Sequence, residues 1–150
     1  MPGPGYTMEV ELGKIREFAR ATKSSNPDYL AADRPVSPAT FLATAALWSS
    51  SAAFPWEEVD GGEDIELGRL LNGGQEFVFH GEPPRAGTRL VARARVAADY
   101  LKEGRRGGSM RFIEVVHEFR TTDGRQVADM RQTFIVTSQP PALAGTETGR

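Results

Sequence analysis

Apolar positions recur with the period of a helix in the first third of the chain and with the period of a strand in its second half. Residues 14–22 carry one apolar stripe and predict a short surface helix, while the alternating residues 6–12 before it predict a strand. Residues 39–51 contain no charged side chain, which is typical of a helix that is buried on all sides. Ser37 and Pro38 predict the start of this second helix, because serine caps free amides and proline fits the first helical position.

The second half of the chain predicts a meander of strands. These predicted strands cover residues 75–80, 88–101, 110–120 and 127–137. The expected apolar face of the longest is formed by Leu90, Ala92, Ala94, Val96, Ala98 and Tyr100. Asp123 and Gly124 predict a tight hairpin between the last two strands, and residues 56–69, with six carboxylates, predict a loop.

One strand, two helices and a run of long strands predict a single α+β domain. We expect an antiparallel sheet of about five strands, curled around a buried central helix over residues 6–137. Residues 1–5 are predicted to be a flexible leader and residues 138–150 a disordered tail. A single sheet of this length leaves edges unpaired, so we expect pairing with a second copy or a related subunit.

Composition removes several classes of function. The net charge of −2 gives no reason to expect nucleic acid, and the absence of cysteine rules out disulfides and thiolate metal sites. The two histidines lie on separate predicted strands, so no metal site is expected, and the glycine-rich residues 102–108 match no nucleotide fingerprint, so we predict no cofactor. No apolar run approaches the ~20 residues of a membrane span and no secretory leader is found, so we expect a cytoplasmic protein.

Several short patterns resemble the MaoC-like dehydratases, which have the hot-dog fold. The likeness is to their N-terminal type, which includes the non-catalytic subunit of the mycobacterial (3R)-hydroxyacyl carrier-protein dehydratase. The patterns that carry it are residues 10–21, Asn26-Pro27, residues 38–42, residues 74–77 with His80, and residues 102–108. The resemblance covers nearly the whole predicted domain and implies an acyl thioester, of a carrier protein or of coenzyme A, as the substrate.

The resemblance also implies where the chemistry belongs. Active members carry Asp-x-Asn-Pro-x-His before the central helix, and the histidine and aspartate there exchange the α-proton and handle the 3-hydroxyl or water. Aligning on Asn26-Pro27 puts Ser24 at the aspartate position and Tyr29 at the histidine position. A phenol, with an ordinary pKa of ~10, is a poor base at neutral pH. We therefore assign no catalytic residue in this chain.

The resemblance suggests two groups of binding residues. The candidate substrate contacts are Asn26, Pro27, Tyr29, Phe41, Trp48 and His80. The candidate contacts to thioester phosphates or to an acidic carrier protein are Lys102, Arg105 and Arg106. Purely structural roles stay open for these residues. Asn26-Pro27 would then form a simple turn, Phe41 and Trp48 would belong to the core, and the basic residues would lie at a solvated hairpin tip. His117 shares a predicted face with apolar residues and is expected to be packed rather than catalytic.

Three functions fit these observations. In the first, the chain is a subunit of a (3R)-3-hydroxyacyl thioester dehydratase or enoyl hydratase that shapes the acyl channel, while a partner subunit brings the aspartate and histidine. In the second, it is a stand-alone homodimeric hot-dog enzyme with a rebuilt site drawn from Asp28, Tyr29, Asp33 or His80. In the third, it binds an acyl ligand or a carrier protein without catalysis.

Overall fold

The computed structural model describes residues 5–50, 54, 57, 62, 64–104 and 108–138, so the predicted leader and tail lie almost wholly outside it. Within these described residues, two α-helices, a 3₁₀ helix, a 3₁₀ turn and five strands follow one another. In order they are β1 (Tyr6–Glu9), α1 (Leu12–Ala21), α2 (Pro27–Leu30), the 3₁₀ helix η1 (Phe41–Trp48), the turn Leu67–Arg69, β2 (Leu70–Phe79), β3 (Arg89–Glu103), β4 (Ser109–Thr121) and β5 (Gln126–Val136). No helix in these described ranges is long and apolar enough to cross a membrane.

The five strands form one antiparallel sheet in the order β1-β3-β4-β5-β2. The hairpins β3–β4 and β4–β5 build its centre, so β4 is paired on both sides along its length. The short β1 forms one edge and the ten-residue β2 forms the other. This curled sheet, with few helices, confirms the predicted fold class.

One face of the sheet, here called the inner face, packs against the helices. The first core cluster lies where β1, β3, β4 and β5 meet α1 and η1, and its largest members are Met8, Ile15, Phe41, Leu42, Leu90, Phe119 and Met130. The second core cluster lies further along the same face and contains Ile113, Val115 and Val136, with Ile65, Leu70, Val96 and Phe134 packed against it. The two clusters divide the inner face into two apolar regions.

The central helix differs in detail from the prediction. It runs over Phe41–Trp48 as a 3₁₀ helix and buries one side only, since Leu47 is 83% exposed. Ser37 does not cap it: the residue before the helix is Thr40, and the Ser37 hydroxyl is buried without a hydrogen-bond partner in the described structure. The Ser37 amide donates to Pro84 O, which belongs to a distant segment of the chain, and the serine lies inside the protein.

The predicted apolar face of β3 is correct only for its first half. The pairing of β3 with β4 shifts between Val96 and Ala98, which moves the later residues to the other face. Tyr100 consequently lies on the outer face, where its ring stacks on Phe112 with 5.4 Å between centroids. The prediction that Ala98 and Tyr100 continue the apolar face of Leu90 is therefore wrong.

Strand β2 begins at Leu70 rather than at residue 75, directly after the last residue of the predicted loop. A register shift between Asn72 and Gly74 interrupts its pairing with β5. A Cβ atom on Gly73 would lie 2.6 Å from Ile135 Cδ1, so any larger residue here would require the Ile135 side chain to move. Gly73 and Gly74 thus lie at an irregularity inside a longer strand than the one predicted.

His117 is buried in the middle of the inner face. It pairs with Met130 on β5 and Ala94 on β3, and only 7% of its surface is exposed. Burial lowers the pKa of this imidazole, an effect that a hydrogen bond with Gln132 partly opposes. The expectation that His117 is a packed residue agrees with this position, and the neutral imidazole is the form that the fold favours.

We predict that replacing Phe41 by alanine lowers the free energy of unfolding by about 3–5 kcal/mol, because it removes a side chain that is only 1% exposed. Leu47→Ala, on the exposed side of the same helix, is the matched control and should change stability by less than about 0.5 kcal/mol. Urea unfolding monitored by circular dichroism measures both. Equal losses in the two variants would contradict the assigned orientation of η1.

We predict that stability declines as the pH falls from about 7.5 to about 5, because the unfolded histidine, with an ordinary pKa near ~6.5, takes up a proton before the buried His117 does. His117→Gln should reduce this decline. Urea midpoints measured across this range test the prediction, and an unchanged decline in His117→Gln would contradict it.

Candidate functional site

The loop between α1 and α2 is a tightly hydrogen-bonded turn. The Ser24 amide donates to Ala19 O, and the Ser24 hydroxyl accepts from the Asn26 amide at 3.3 Å. The Asn26 side chain in turn caps α2, since its Oδ1 accepts from the Asp28 amide at 2.9 Å, and Pro27 occupies the first helical turn. The sequence Ser-x-Asn-Pro-Asp therefore builds this turn with the polar side chains that an active site would use.

Tyr29 is half-buried and packs against the first core cluster, on the inner side of the sheet. Asp28 beside it is exposed. The position that the resemblance assigns to a catalytic histidine thus holds a phenol packed against apolar neighbours, and the position assigned to an aspartate holds a hydroxyl used in the turn. Ser24 and Tyr29 together bring no carboxylate and no imidazole to this loop.

Phe41 and Trp48 lie in an aromatic chain that joins α1 to η1. The Phe41 ring meets Phe18 edge-on, with 5.7 Å between centroids, and meets Trp48 at 6.4 Å. Trp48 is half-buried and, with Phe18 and Leu47, lines a shallow groove between the two helices. Phe41 is a core residue, whereas Trp48 has surface that a ligand or a second chain can contact.

His80 lies on the outer face, away from Tyr29. Its Nε2 is 2.8 Å from Asp129 Oδ2, and Gln126 Nε2 donates to both oxygens of the same carboxylate, at 3.0 and 2.9 Å. The imidazole is 40% exposed. The sheet therefore separates the two side chains that a rebuilt site would combine.

Lys102 lies near the turn that connects β3 to β4. Its Nζ is 5.2 Å from the centroid of the Tyr100 ring and 4.9 Å from that of Phe112, within cation–π range of both rings. The Tyr100 hydroxyl donates to Glu114 at 3.1 Å and holds the stacked pair in place. The other two basic candidates, Arg105 and Arg106, lie outside the described residues.

A second polar feature, which sequence reasoning did not select as a site, lies on the inner face. His117 and Gln132 interact there between apolar neighbours, and the His117 Nδ1 has no hydrogen-bond partner among the described atoms. The signal in the sequence was a single histidine on an otherwise apolar face of β4, which more often marks a packed residue. In the ranges that the structure covers, no three histidine, aspartate or glutamate side chains gather as metal ligands would.

Comparison with known proteins places this geometry in a family. Residues 3–130 match the family described as "FAS1-like, dehydratase domain region". A UPF0336 protein of Saccharopolyspora erythraea is 34% identical over 146 residues, which cover 89% of this chain and 83% of the relative.

Solved structures share the fold. A C-terminally truncated HadBC (3R-hydroxyacyl-ACP dehydratase) complex from Mycobacterium tuberculosis matches with a TM-score of 0.65 and 23% identity, over 89% of this chain and 95% of that chain. The ChsH1-ChsH2 complex from the same organism matches with a TM-score of 0.68 and 17% identity, over 97% and 90%. The (R)-hydratase from A. caviae involved in PHA biosynthesis matches with a TM-score of 0.59 and 14% identity, over 87% and 91%. The chain therefore belongs to the FAS1-like dehydratase-region family and has the hot-dog fold of the MaoC-like dehydratases.

Proposed function

We propose that this chain is the non-catalytic subunit of a (3R)-3-hydroxyacyl thioester dehydratase or enoyl hydratase, in which a partner subunit supplies the acid and base. The observation that carries the proposal is the loop from Ser24 to Tyr29. Its turn is intact, yet the serine hydroxyl accepts a backbone hydrogen bond and the tyrosine packs against the core. Elimination of water across the C2–C3 bond needs a group that removes the α-proton and a group that protonates the departing hydroxyl.

The inner face supports a role in holding the acyl chain. Ala94, Val96 and Phe134 lie there beside the second core cluster and are all half-buried in the single chain. A hydrocarbon chain bound along them would remove apolar surface from water on both sides of the contact. This surface gives the chain a part in selecting acyl length even though the reacting groups come from elsewhere.

The edge strand β2 supports the need for a partner. Only one side of its backbone pairs in the sheet, with β5, and two of its large apolar side chains, Leu71 and Val78, are 41% and 44% exposed. A ten-residue unpaired edge with exposed apolar side chains is a template for another strand. Two of the similar solved structures, HadBC and ChsH1-ChsH2, are described as complexes.

The end of the β3–β4 hairpin supports contact with an anionic carrier. The Lys102 ammonium is held over the Tyr100 and Phe112 rings at the rim of the sheet. A cation fixed in this way can meet the phosphate of a pantetheine arm or of coenzyme A, or a carboxylate on a carrier protein.

The stand-alone enzyme is the weaker alternative. Its rebuilt site would draw on Tyr29 and His80, and these lie on opposite faces of the sheet. The His80 imidazole is already paired with the Asp129 carboxylate, with 2.8 Å between Nε2 and Oδ2. A homodimer could place His80 of one copy near the loop of the other, which the following variants test.

We predict that Tyr29→Phe changes the dehydratase rate of the assembled enzyme by less than about twofold, because the phenol does not exchange the α-proton. The enzyme is obtained by co-expressing this chain with a hot-dog chain of the same genome that carries Asp-x-Asn-Pro-x-His. Replacing that histidine by alanine should lower the rate by about 10²–10⁴-fold. Formation of the enoyl thioester from a 3-hydroxyacyl pantetheine thioester is followed by its ultraviolet absorbance.

His80→Ala is the matched control for the alternative and should also leave the rate within about twofold. A fall of more than about 100-fold in either Tyr29→Phe or His80→Ala would contradict the proposal and support a rebuilt site in this chain.

A further inference from the structure

A polar belt crosses the inner face between the two apolar clusters. Two neighbouring rows of the sheet form it: Met130 and His117 pair in one, and Gln75, Gln132 and Val115 pair in the next. His117, Gln132 and Gln75 are its polar members and define what we call the polar belt. Apolar side chains of the first cluster flank it on one side, and those of the second cluster flank it on the other.

The hydrogen bonding of the belt is incomplete. His117 and Gln132 lie in neighbouring rows of the sheet, and the Nδ1 atom of His117 is buried without a partner in the described structure. The Gln75 amide donates to Met130 Sδ at 3.1 Å, and a thioether is a weak acceptor. A buried polar atom without a partner destabilises a fold, and such atoms are uncommon unless something else completes them.

The helices leave the region around the belt partly open. Gln75 is exposed and Gln132 is half-buried, as are Ala94 and Val96 on the neighbouring strand. A chain-like ligand can therefore lie along this part of the inner face. Because apolar surface continues on both sides of the belt, such a ligand would cross the belt at a point within its hydrocarbon part.

We propose that the polar belt recognises an oxygen substituent, a hydroxyl above all, carried on the acyl chain beyond the reacting C2–C3 bond. This inference rests on the proposed function and narrows its substrate class to oxygenated acyl thioesters. His117 is the specificity-determining residue, and Gln132 and Gln75 are positioning residues. A hydroxyl both donates and accepts, so it completes His117 Nδ1 in either tautomer of the ring.

The preference for a hydroxylated over a saturated acyl chain follows from the polar atoms of His117 and Gln132. A purely aliphatic chain laid across the belt would shield His117 and Gln132 from water and offer them no hydrogen bond. Sites that bind a hydroxyl through buried polar groups reject the analogue that lacks it, often strongly. We expect at least about tenfold weaker binding of the aliphatic analogue.

The test uses unreactive S-alkyl pantetheine thioethers of one chain length, one saturated and the others carrying a single hydroxyl at successive mid-chain carbons. Isothermal titration calorimetry with the full chain, and with the co-purified assembly, measures their affinities. One hydroxylated thioether should bind at least about tenfold more tightly than the saturated one. His117→Phe should abolish this preference and keep or improve binding of the saturated chain, which a merely structural residue would not do.

Two further measurements keep the test decisive. His117→Gln, which retains a hydrogen-bonding side chain, should keep part of the preference, and His80→Gln on the outer face should keep all of it. The ¹⁵N resonances of the His117 ring should shift with the preferred hydroxylated thioether and not with the saturated one.

The outcomes separate this inference from the function on which it rests. If saturated and hydroxylated thioethers bind equally well to the unaltered protein, the polar belt is not a recognition site, while the acyl-binding role stands. A preference that survives in His117→Phe also overturns the assignment of His117. If no thioether binds to the chain or to the assembly, both the inference and the acyl-binding role are wrong.

Discussion

The contacts of Phe41 join α1, η1 and the inner face of the sheet, next to the candidate site. Its ring is almost fully buried and meets Phe18 of α1 and Trp48 of η1 edge-on, while the inner face of the sheet closes around it. Replacing a buried aromatic ring of this size by alanine typically lowers the free energy of unfolding by about 3–5 kcal/mol. Because α1 and η1 are fixed relative to each other, the intervening loop from Ser24 to Tyr29 is fixed as well.

On the proposed function, that loop keeps the turn of an active site without its acid and base. Asn26 and Pro27 preserve the turn because they satisfy backbone groups at the start of α2, a role that does not depend on any substrate. Ser24 takes part in the same turn and Tyr29 fills space against the core. The apolar inner face and the edge of β2 are the features on which the proposed channel-forming role rests.

Much of the fold followed from periodicity, and the departures have clear physical causes. Alternation correctly placed Ile113, Val115, His117 and Phe119 on one face of β4, since the pairing of β4 with β5 is unshifted over those residues and the irregularity opposite them lies in β3. Alternation failed beyond Val96, because a bulge moves every later side chain to the opposite face and no residue type announces a bulge reliably.

The candidate site was harder to predict than the fold. Sequence reasoning found the turn at Asn26-Pro27, because capping is local and has a recognisable pattern. It did not find that Ser37 turns inward or that His80 pairs with Asp129 on the outer face, because these depend on contacts between distant segments. The polar belt was missed for the same reason: Gln75, His117 and Gln132 lie on three strands and meet only through the register of the sheet.

The central claim, that the chain contributes a channel and borrows its acid and base, is tested most directly by one comparison of rates. The purified chain is assayed with a 3-hydroxyacyl pantetheine thioester, first alone and then with the partner that carries Asp-x-Asn-Pro-x-His, while native mass spectrometry records the assembly. The account predicts no enoyl thioester above the uncatalysed rate from the chain alone, and rapid formation once a two-chain complex is present. Dehydration at an enzyme-like rate by the chain alone would contradict it.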